Sequence, residues 1–325
     1  MGVNKVCLFI IFFFTSIVLN AQIPEMHYGD TDNVGRPYSK DPYVIFFKGK
    51  YWMYYSVPDE LKKEWYIGVA TSLDLINWDK VGNIKGQKGT VEEKGICAPS
   101  ALIKDENLHL FYQTYGNGKQ DAICHATSMD GINFDRDKSN PIFRPKISDW
   151  SCGRAIDAEV IAFKNQYFLY YATRDPDYKI QYQGVAVAPI NSNFERSSWK
   201  EIEGMPFLKP ELPWEKNCIE AAACVQKGKY LYMFYAGGYN NEPQQIGIAK
   251  SKDGISWKRL SIDPFLRNGE KGTWNESESG HPHIMRAQNG KYFLFYQGNN
   301  DKGKTWYISK SEIGWNRKGP FLIKN

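Results

Sequence analysis

Apolar and polar residues alternate in short runs along this chain, and one arrangement of them keeps returning. In Ser39-Lys40-Asp41-Pro42-Tyr43-Val44-Ile45-Phe46-Phe47-Lys48-Gly49-Lys50-Tyr51-Trp52-Met53-Tyr54-Tyr55 a carboxylate opens an apolar run, a Lys-Gly-Lys turn follows, and an aromatic run leads back. Strand-forming residues around a glycine turn, with no helical period, predict a β-hairpin. Four variants begin at Ala98, Asp157, Glu220 and His281. After each hairpin comes a run of small and apolar residues: Trp65–Ser72, Ala122–Ser128, Gln183–Ala188, Gln245–Ser251 and Thr305–Ser311. Turns such as Asp130-Gly131-Ile132-Asn133-Phe134 and Asp253-Gly254-Ile255-Ser256-Trp257 then connect to a fourth strand. Five units of four strands, with no helical stretch, predict an all-β fold: a five-bladed β-propeller with four-stranded antiparallel blades. A long β-sandwich would not give so regular a unit length. Residues 22–38 lack the pattern and are expected to pack against the ring as a lead-in segment.

Composition changes this picture little. With 325 residues, 42% hydrophobic and 15% aromatic, the chain can bury one large all-β domain, here residues 22–325. Lys and Arg number 41 against 36 acidic residues, with no basic run, so no nucleic-acid partner is expected. Residues 1–21 read as a signal peptide: Lys5 precedes the apolar run Val6–Leu19, and Ala21 offers a small residue for cleavage before Gln22. That run is short of the roughly 20 residues a membrane span needs, so a secreted or periplasmic protein without a span is expected. Cys97, Cys124 and Cys224 fall in or beside strand patterns and read as small buried hydrophobes. Cys152 and Cys218 are candidates for a bridge between neighbouring units. No C-x-x-C or H-E-x-x-H pattern points to zinc.

The candidate chemistry lies at the starts of the hairpins. Aligned on the first residues of their second strands (Tyr51, Leu108, Tyr167, Tyr230, Tyr292), the five copies place Asp41, Ala98, Asp157, Glu220 and Pro282 ten residues earlier, the last preceded by His281. In a propeller the first strand of each blade lines the central channel. Three acids would therefore meet at one end of the axis, each ahead of an apolar run. Clustered carboxyls in a partly desolvated mouth have pKa values pushed apart, one protonated and one ionised. Glycosidic bond cleavage requires such a pair. The alternative is that the acids merely decorate a solvated rim.

Lys40-Asp41-Pro42-Tyr43-Val44, Ala98-Pro99, Ala155-Ile156-Asp157, Ile219-Glu220-Ala221 and Gly280-His281, in this order and phase, resemble glycoside hydrolase family 43 from about Ser39 to Trp315. The resemblance implies a five-bladed propeller that hydrolyses arabinofuranosides, xylosides or galactosides with inversion. It implies Asp41 as general base, Glu220 as general acid and Asp157 as the group that tunes and orients the acid. His281 would match a histidine on the axis that in some members contacts calcium or water; no other cofactor is implied. Two departures leave subfamily and substrate open. Ala158-Glu159 follows Asp157 where the family usually has Pro, and Ala221-Ala222-Ala223 follows Glu220 where Gly-Pro-His is usual. Families 32 (retaining) and 117 (acting on anhydro-galactose) resemble the same scaffold, and a non-catalytic carbohydrate-binding propeller is the rival of another class.

Arg154 is a candidate for binding a sugar hydroxyl or carboxylate, and Trp150, Trp214, Tyr239 and Trp274 are candidates for stacking on sugar faces. Arg174-Asp175-Pro176 resembles a family 32 motif, but its phase after a second strand makes it an ordinary turn. The Ser-x-Asp-Gly turns resemble sialidase Asp-boxes and are read as structural. His283, inside a strand, reads as a satisfied core histidine. An oligo- or polysaccharide is the expected partner.

Overall fold

The computed structural model describes residues 1, 24–204 and 206–323. The apolar run Val6–Leu19 and the cleavage point after Ala21 lie outside the described residues. The rest folds as five four-stranded antiparallel sheets. Blade 1 holds β1 (Lys40–Phe47), β2 (Lys50–Asp59), β3 (Glu64–Ser72) and β4 (Asp79–Ile84). Blade 2 holds β5 (Ile96–Lys104), β6 (Asn107–Thr114), β7 (Ile123–Ser128) and β8 (Asp135–Arg136). Blade 3 holds β9 (Ile156–Phe163), β10 (Gln166–Arg174), β11 (Gln181–Pro189) and β12 (Lys200–Glu201). Blade 4 holds β13 (Ile219–Lys227), β14 (Tyr230–Gly237), β15 (Gln245–Ser251) and β16 (Trp257–Arg259). Blade 5 holds β17 (Glu278–Arg286), β18 (Tyr292–Asn299), β19 (Tyr307–Asn316) and β20 (Gly319–Leu322).

The first strands pack in a ring, β1 against β5, then β9, β13, β17 and back to β1. The lead-in segment fastens that closure. Tyr28 exchanges backbone hydrogen bonds with Ile308 at 2.9 and 2.8 Å, and Trp306 N donates to Pro37 O at 3.0 Å. Met26 is buried in the cluster between blades 5 and 1.

The core lies between blades. The alternation of β2 sends Met53 and Tyr55 into the cluster shared with blade 5, and Trp52 and Tyr54 into the one shared with blade 2. Period-two patterning thus buries both faces of each sheet, which is why the second strands are aromatic throughout. The small residues of the third strands make room for those rings. A Cβ on Gly68, Gly184 or Gly247 would stand 2.3–2.4 Å from the ring of Tyr55, Tyr171 or Tyr235. The Ser-x-Asp turns are structural, as read: Asp130 Oδ1 accepts from the backbone of Ile132 and Asn133 at 2.9 and 2.8 Å. Cys152 and Cys218 are both free thiols, so no bridge joins their units.

Each first strand carries one β-bulge, and its extra residue is left-handed: Asp41 (φ 50°), Ala98 (47°), Asp157 (52°), Ala221 (52°) and His281 (42°). This corrects the register read from sequence. Tyr230 pairs with Lys227 as Lys50 pairs with Phe47, so the true partner of Tyr51 is Leu231. Ala221, not Glu220, is the equivalent of Asp41, and in blade 5, whose hairpin turn is one residue longer, the equivalent is His281 and not Pro282. Glu220 stands one residue earlier, at the position of Lys40. Placing a non-glycine residue in this region costs about 1 kcal/mol, and a bulge turns its side chain out of the pleat. The neighbouring blade ties three of these bulges down. Gln297 Oε1 accepts from Asp41 N at 2.9 Å, Ser56 Oγ from Ala98 N at 2.7 Å and Gln113 Oε1 from Asp157 N at 2.7 Å.

Candidate active site

The bulges of blades 1, 3 and 5, with the residue before the bulge of blade 4, bring Asp41, Asp157, His281 and Glu220 to one pit at the end of the axis. The pit has room of about 200 Å³ and is lined also by Lys40, Trp65, Tyr115, Arg154, Arg174 and Tyr239. His281 is its hub. Nε2 hydrogen-bonds Glu220 Oε1 at 3.1 Å, while Nδ1 stands 2.9 Å from Asp41 Oδ1, an ion pair rather than an aligned hydrogen bond. Glu220 Oε1 also accepts from Gln244 Nε2 at 2.7 Å, and Oε2 accepts from Gln181 Nε2. Donor atoms of Asp157, Glu220 and His281 lie within 4.8 Å of one another.

The electrostatics separate the three acids. Burial pushes the Asp41 carboxyl up, but His281 and Lys40 outweigh it and hold the group well below the usual carboxylate range. Burial also opposes ionisation of Glu220, and the His281 and Gln244 contacts overcome it, leaving Glu220 lowered. His281 moves the other way: burial disfavours its charge, and Asp41 with Glu220 raises it well above the ordinary histidine value, so the hub is an imidazolium. Asp157 has no such partner. Burial, then the Glu220 and Asp41 charges, raise it to about 7 against the pull of His281. Its Oδ2 is buried without a hydrogen-bond partner among the described residues. Within the coupled pair Asp157 is the carboxyl pushed towards its protonated form and Glu220 the one pushed towards its ionised form.

These residues do not fit a calcium ion. Calcium takes about six to eight oxygen ligands. The pit offers three carboxylates, Asp41, Asp157 and Glu220, beside an imidazole whose nitrogens already face two of them.

Of the predicted sugar-binding residues, Arg154 and Tyr239 line the pit and three do not. Trp150 is buried between blades 2 and 3, edge-on to Tyr182. Trp214 stacks on Tyr235 and donates its Nε1 hydrogen to Ile262 O at 3.0 Å. Trp274 packs on Tyr296 and His27. Gly237 and Gly298 lie under the last two indoles, where a Cβ would come within 2.4 and 2.6 Å. These tryptophans close the tops of blades. Sequence reasoning missed Trp65, Tyr115, Lys40 and Arg174. Arg174 is the last residue of β10 and not part of an ordinary turn: its guanidinium faces the pit, 4.9 Å from the Tyr239 ring centre. The Arg-Asp-Pro motif is the sequence signal for it, and its phase after a second strand hides its place at the strand end. His283 is a core histidine as read, donating from Nε2 to Val44 O at 2.8 Å.

With this geometry in hand, the comparisons with known proteins agree on the scaffold. A thermostable family-43 glycoside hydrolase superposes with a TM-score of 0.69 at 17% identity, covering 88% of this chain and 93% of that one. An alpha-L-arabinofuranosidase from Lactobacillus brevis superposes with a TM-score of 0.67 at 16% identity, covering 93% and 95%. At such identities the likeness carries the fold alone. A relative from Thermoanaerobacter sp. (strain X514), named 1,2-beta-oligomannan phosphorylase, is 26% identical over 211 residues, 61% of this chain; the match spans 64% of that relative's length. The profile of the glycosyl hydrolases family 43 matches residues 38–318, and the chain belongs to that family.

Proposed function

We propose that the protein is an exported, inverting glycoside hydrolase that removes terminal sugars, of arabinofuranosyl, xylosyl or galactosyl type, from plant or algal polysaccharides. One observation carries this reading: Asp41 and Glu220 face each other across a single imidazole. Their contacts to His281, 2.9 and 3.1 Å, with the width of the ring, keep the two carboxylate oxygens within about 8 Å. That bound is compatible with the about 6.5–9.5 Å of an inverting pair, which leaves room for a water between base and sugar. Asp41, held ionised, takes a proton from the attacking water. The glycosidic oxygen leaves with a proton from the Asp157–Glu220 pair. In the free site the pair shares its proton with Asp157 as the raised member, and delivery through Glu220 requires that balance to shift once a sugar is bound.

The test is the anomer first released, read by proton NMR during the first turnovers. Inversion is expected. Retention would require the shorter pair of about 5–5.5 Å and would remove Asp41 from the role of base.

The relative named as a phosphorylase favours a second reading at the same pit. There a phosphate oxygen attacks the anomeric carbon in place of water, the glycosidic C–O bond breaks, and the leaving oxygen takes the same proton. Sugar 1-phosphate formed only when phosphate is added would select it.

A further inference from the structure

We propose that Arg154 and Arg174 form a fork for an oxyanion on the blade-3 side of the pit, so that the ligand beside the reacting carboxyls carries negative charge. The oxyanion is a carboxylate or sulfate borne by the sugar, or free phosphate. This rests on the reading of the pit as the site of glycan cleavage.

Both guanidiniums lie against aromatic faces, and the acid that does pair with Arg154, Asp121, stands off at 3.6 Å from its Nε. Arg154 Cζ lies 5.8 Å and Arg174 Cζ 4.5 Å from the Tyr178 ring centre, and Arg174 also leans on Tyr239. A ring attracts a cation through its quadrupole without consuming an N–H donor. Tyr178 is fixed for this task by its turn. It adopts φ 65°, and Asp175 Oδ1 accepts from the backbone of Lys179 and Ile180 at 2.6 and 2.8 Å.

The donors are accordingly free. Arg154 is 8% exposed, its Nε has no hydrogen-bond partner, and Asp121 Oδ2 stands off at 3.6 Å. Arg174 donates from Nε to the neutral Gln181 Oε1 at 3.0 Å, and no carboxylate pairs with it among the described residues. Placed merely to neutralise the acids, the arginines would pair with Asp157 and Glu220. Instead Glu220 takes its contacts from Gln181, Gln244 and His281, and Asp157 Oδ2 goes without. One buried and one half-buried planar fork, Arg154 and Arg174, match a carboxylate, sulfate or phosphate, whose hydrogen bonds to guanidinium are the strong, charge-assisted kind.

Uronate-containing oligosaccharides, each paired with its carboxyl-reduced form, test this on the purified protein. Wild type is expected to favour the charged member about 10- to 100-fold in kcat/KM, and R174Q to lose at least tenfold of that ratio, with R174K restoring part. A wild-type ratio near one, or a ratio that a folded R174Q leaves unchanged, overturns the fork. Tryptophan-fluorescence titrations with glucuronate, sulfate and inorganic phosphate, against methyl glucoside, read binding without turnover. Saturable anion binding that R174Q abolishes supports the fork even if no glycan is cut, and the failure then falls on the hydrolase reading alone. Cleavage of neutral glycans with no anion binding overturns the fork and leaves the hydrolase reading standing. Phosphate binding tighter than glucuronate assigns the free source; the reverse assigns the sugar.

Discussion

Asp157 and Glu159 lie two residues apart on β9, both are buried, and both are raised, to about 7 and about 8. Their direct partners differ, although Asp157 borders both spaces. Asp157 opens onto the mouth, among His281, Glu220 and Asp41. Glu159 lines the narrower chamber beneath, with Tyr43, Ala222 and His283. There Glu159 Oε1 accepts from Cys224 N at 2.9 Å and its other oxygen meets Ser100 Oγ at 3.4 Å, contacts that only partly offset burial. His283, pushed down to about 4 by burial, is neutral beside it. Glu159 and His283 thus favour their neutral forms, whereas Asp41 and His281, which line the chamber where it meets the mouth, belong with Glu220 to a network that holds an imidazolium between two carboxylates. Burial alone neutralises a group; a charged partner in direct contact reverses the sign. The fold supplies burial at every blade, and the mouth is reactive because three blades place opposite charges there.

Breaking that network at its base gives the largest effect. D41N keeps the shape of the side chain and removes the proton acceptor, so turnover is expected to fall about 10²- to 10⁴-fold with the unfolding midpoint held. Initial rates on a cleaved glycan, beside a melting curve, check it; activity above a tenth of wild type would remove Asp41 from the mechanism. H281Q acts one step back. Without the imidazolium both Asp41 and Asp157 move to higher pKa, since His281 lowers each. The base must be ionised, so the acid limb of the kcat/KM profile shifts to higher pH. The rate at its optimum is expected to drop about 10- to 100-fold. An unshifted acid limb would mean that His281 only positions the carboxylates.

The scaffold was legible because its signal is redundant. A hairpin grammar repeated five times survives an error in any one copy, and β1, β5, β9, β13 and β17 all begin within a few residues of the predicted starts. The carboxylates were legible for the same reason, although the registers of blades 4 and 5 each slipped by one. Tyr230 resembles Tyr51 in kind, but hydrogen bonding, not residue type, sets the phase. The aromatic lining was not legible. Trp214 and Trp274 stand in loops where a sugar platform is expected, and only the close approach of Gly237 and Gly298 reveals that they cap blades. Arg174 shows the converse: a residue assigned to a turn lies at a strand end, and its direction depends on Tyr178, which no spacing rule connects to it.

The smallest expected effect is in the chamber, and it tests the contrast most directly. Between pH of about 4.5 and 8 the folded protein keeps a proton on Glu159 that the unfolded chain has released, so stability falls as pH rises through that window. E159Q retains the shape and can keep both contacts, with the amide oxygen accepting from Cys224 N and the amide nitrogen donating to Ser100 Oγ. It cannot titrate. Relative to wild type the variant should therefore be within about 1 kcal/mol at pH 5 and more stable by up to a few kcal/mol at pH 8–9, with activity changed less than about twofold. Urea denaturation of both proteins at several pH values gives the difference curve. Taking the difference matters because Asp157 and Glu278, also raised to about 7, add slopes of the same sign to both proteins. A flat difference curve would mean that Glu159 is ionised in the folded chain. The chamber would then need a cation of its own, and the distinction between an inert buried acid and a reactive one two residues away would fail.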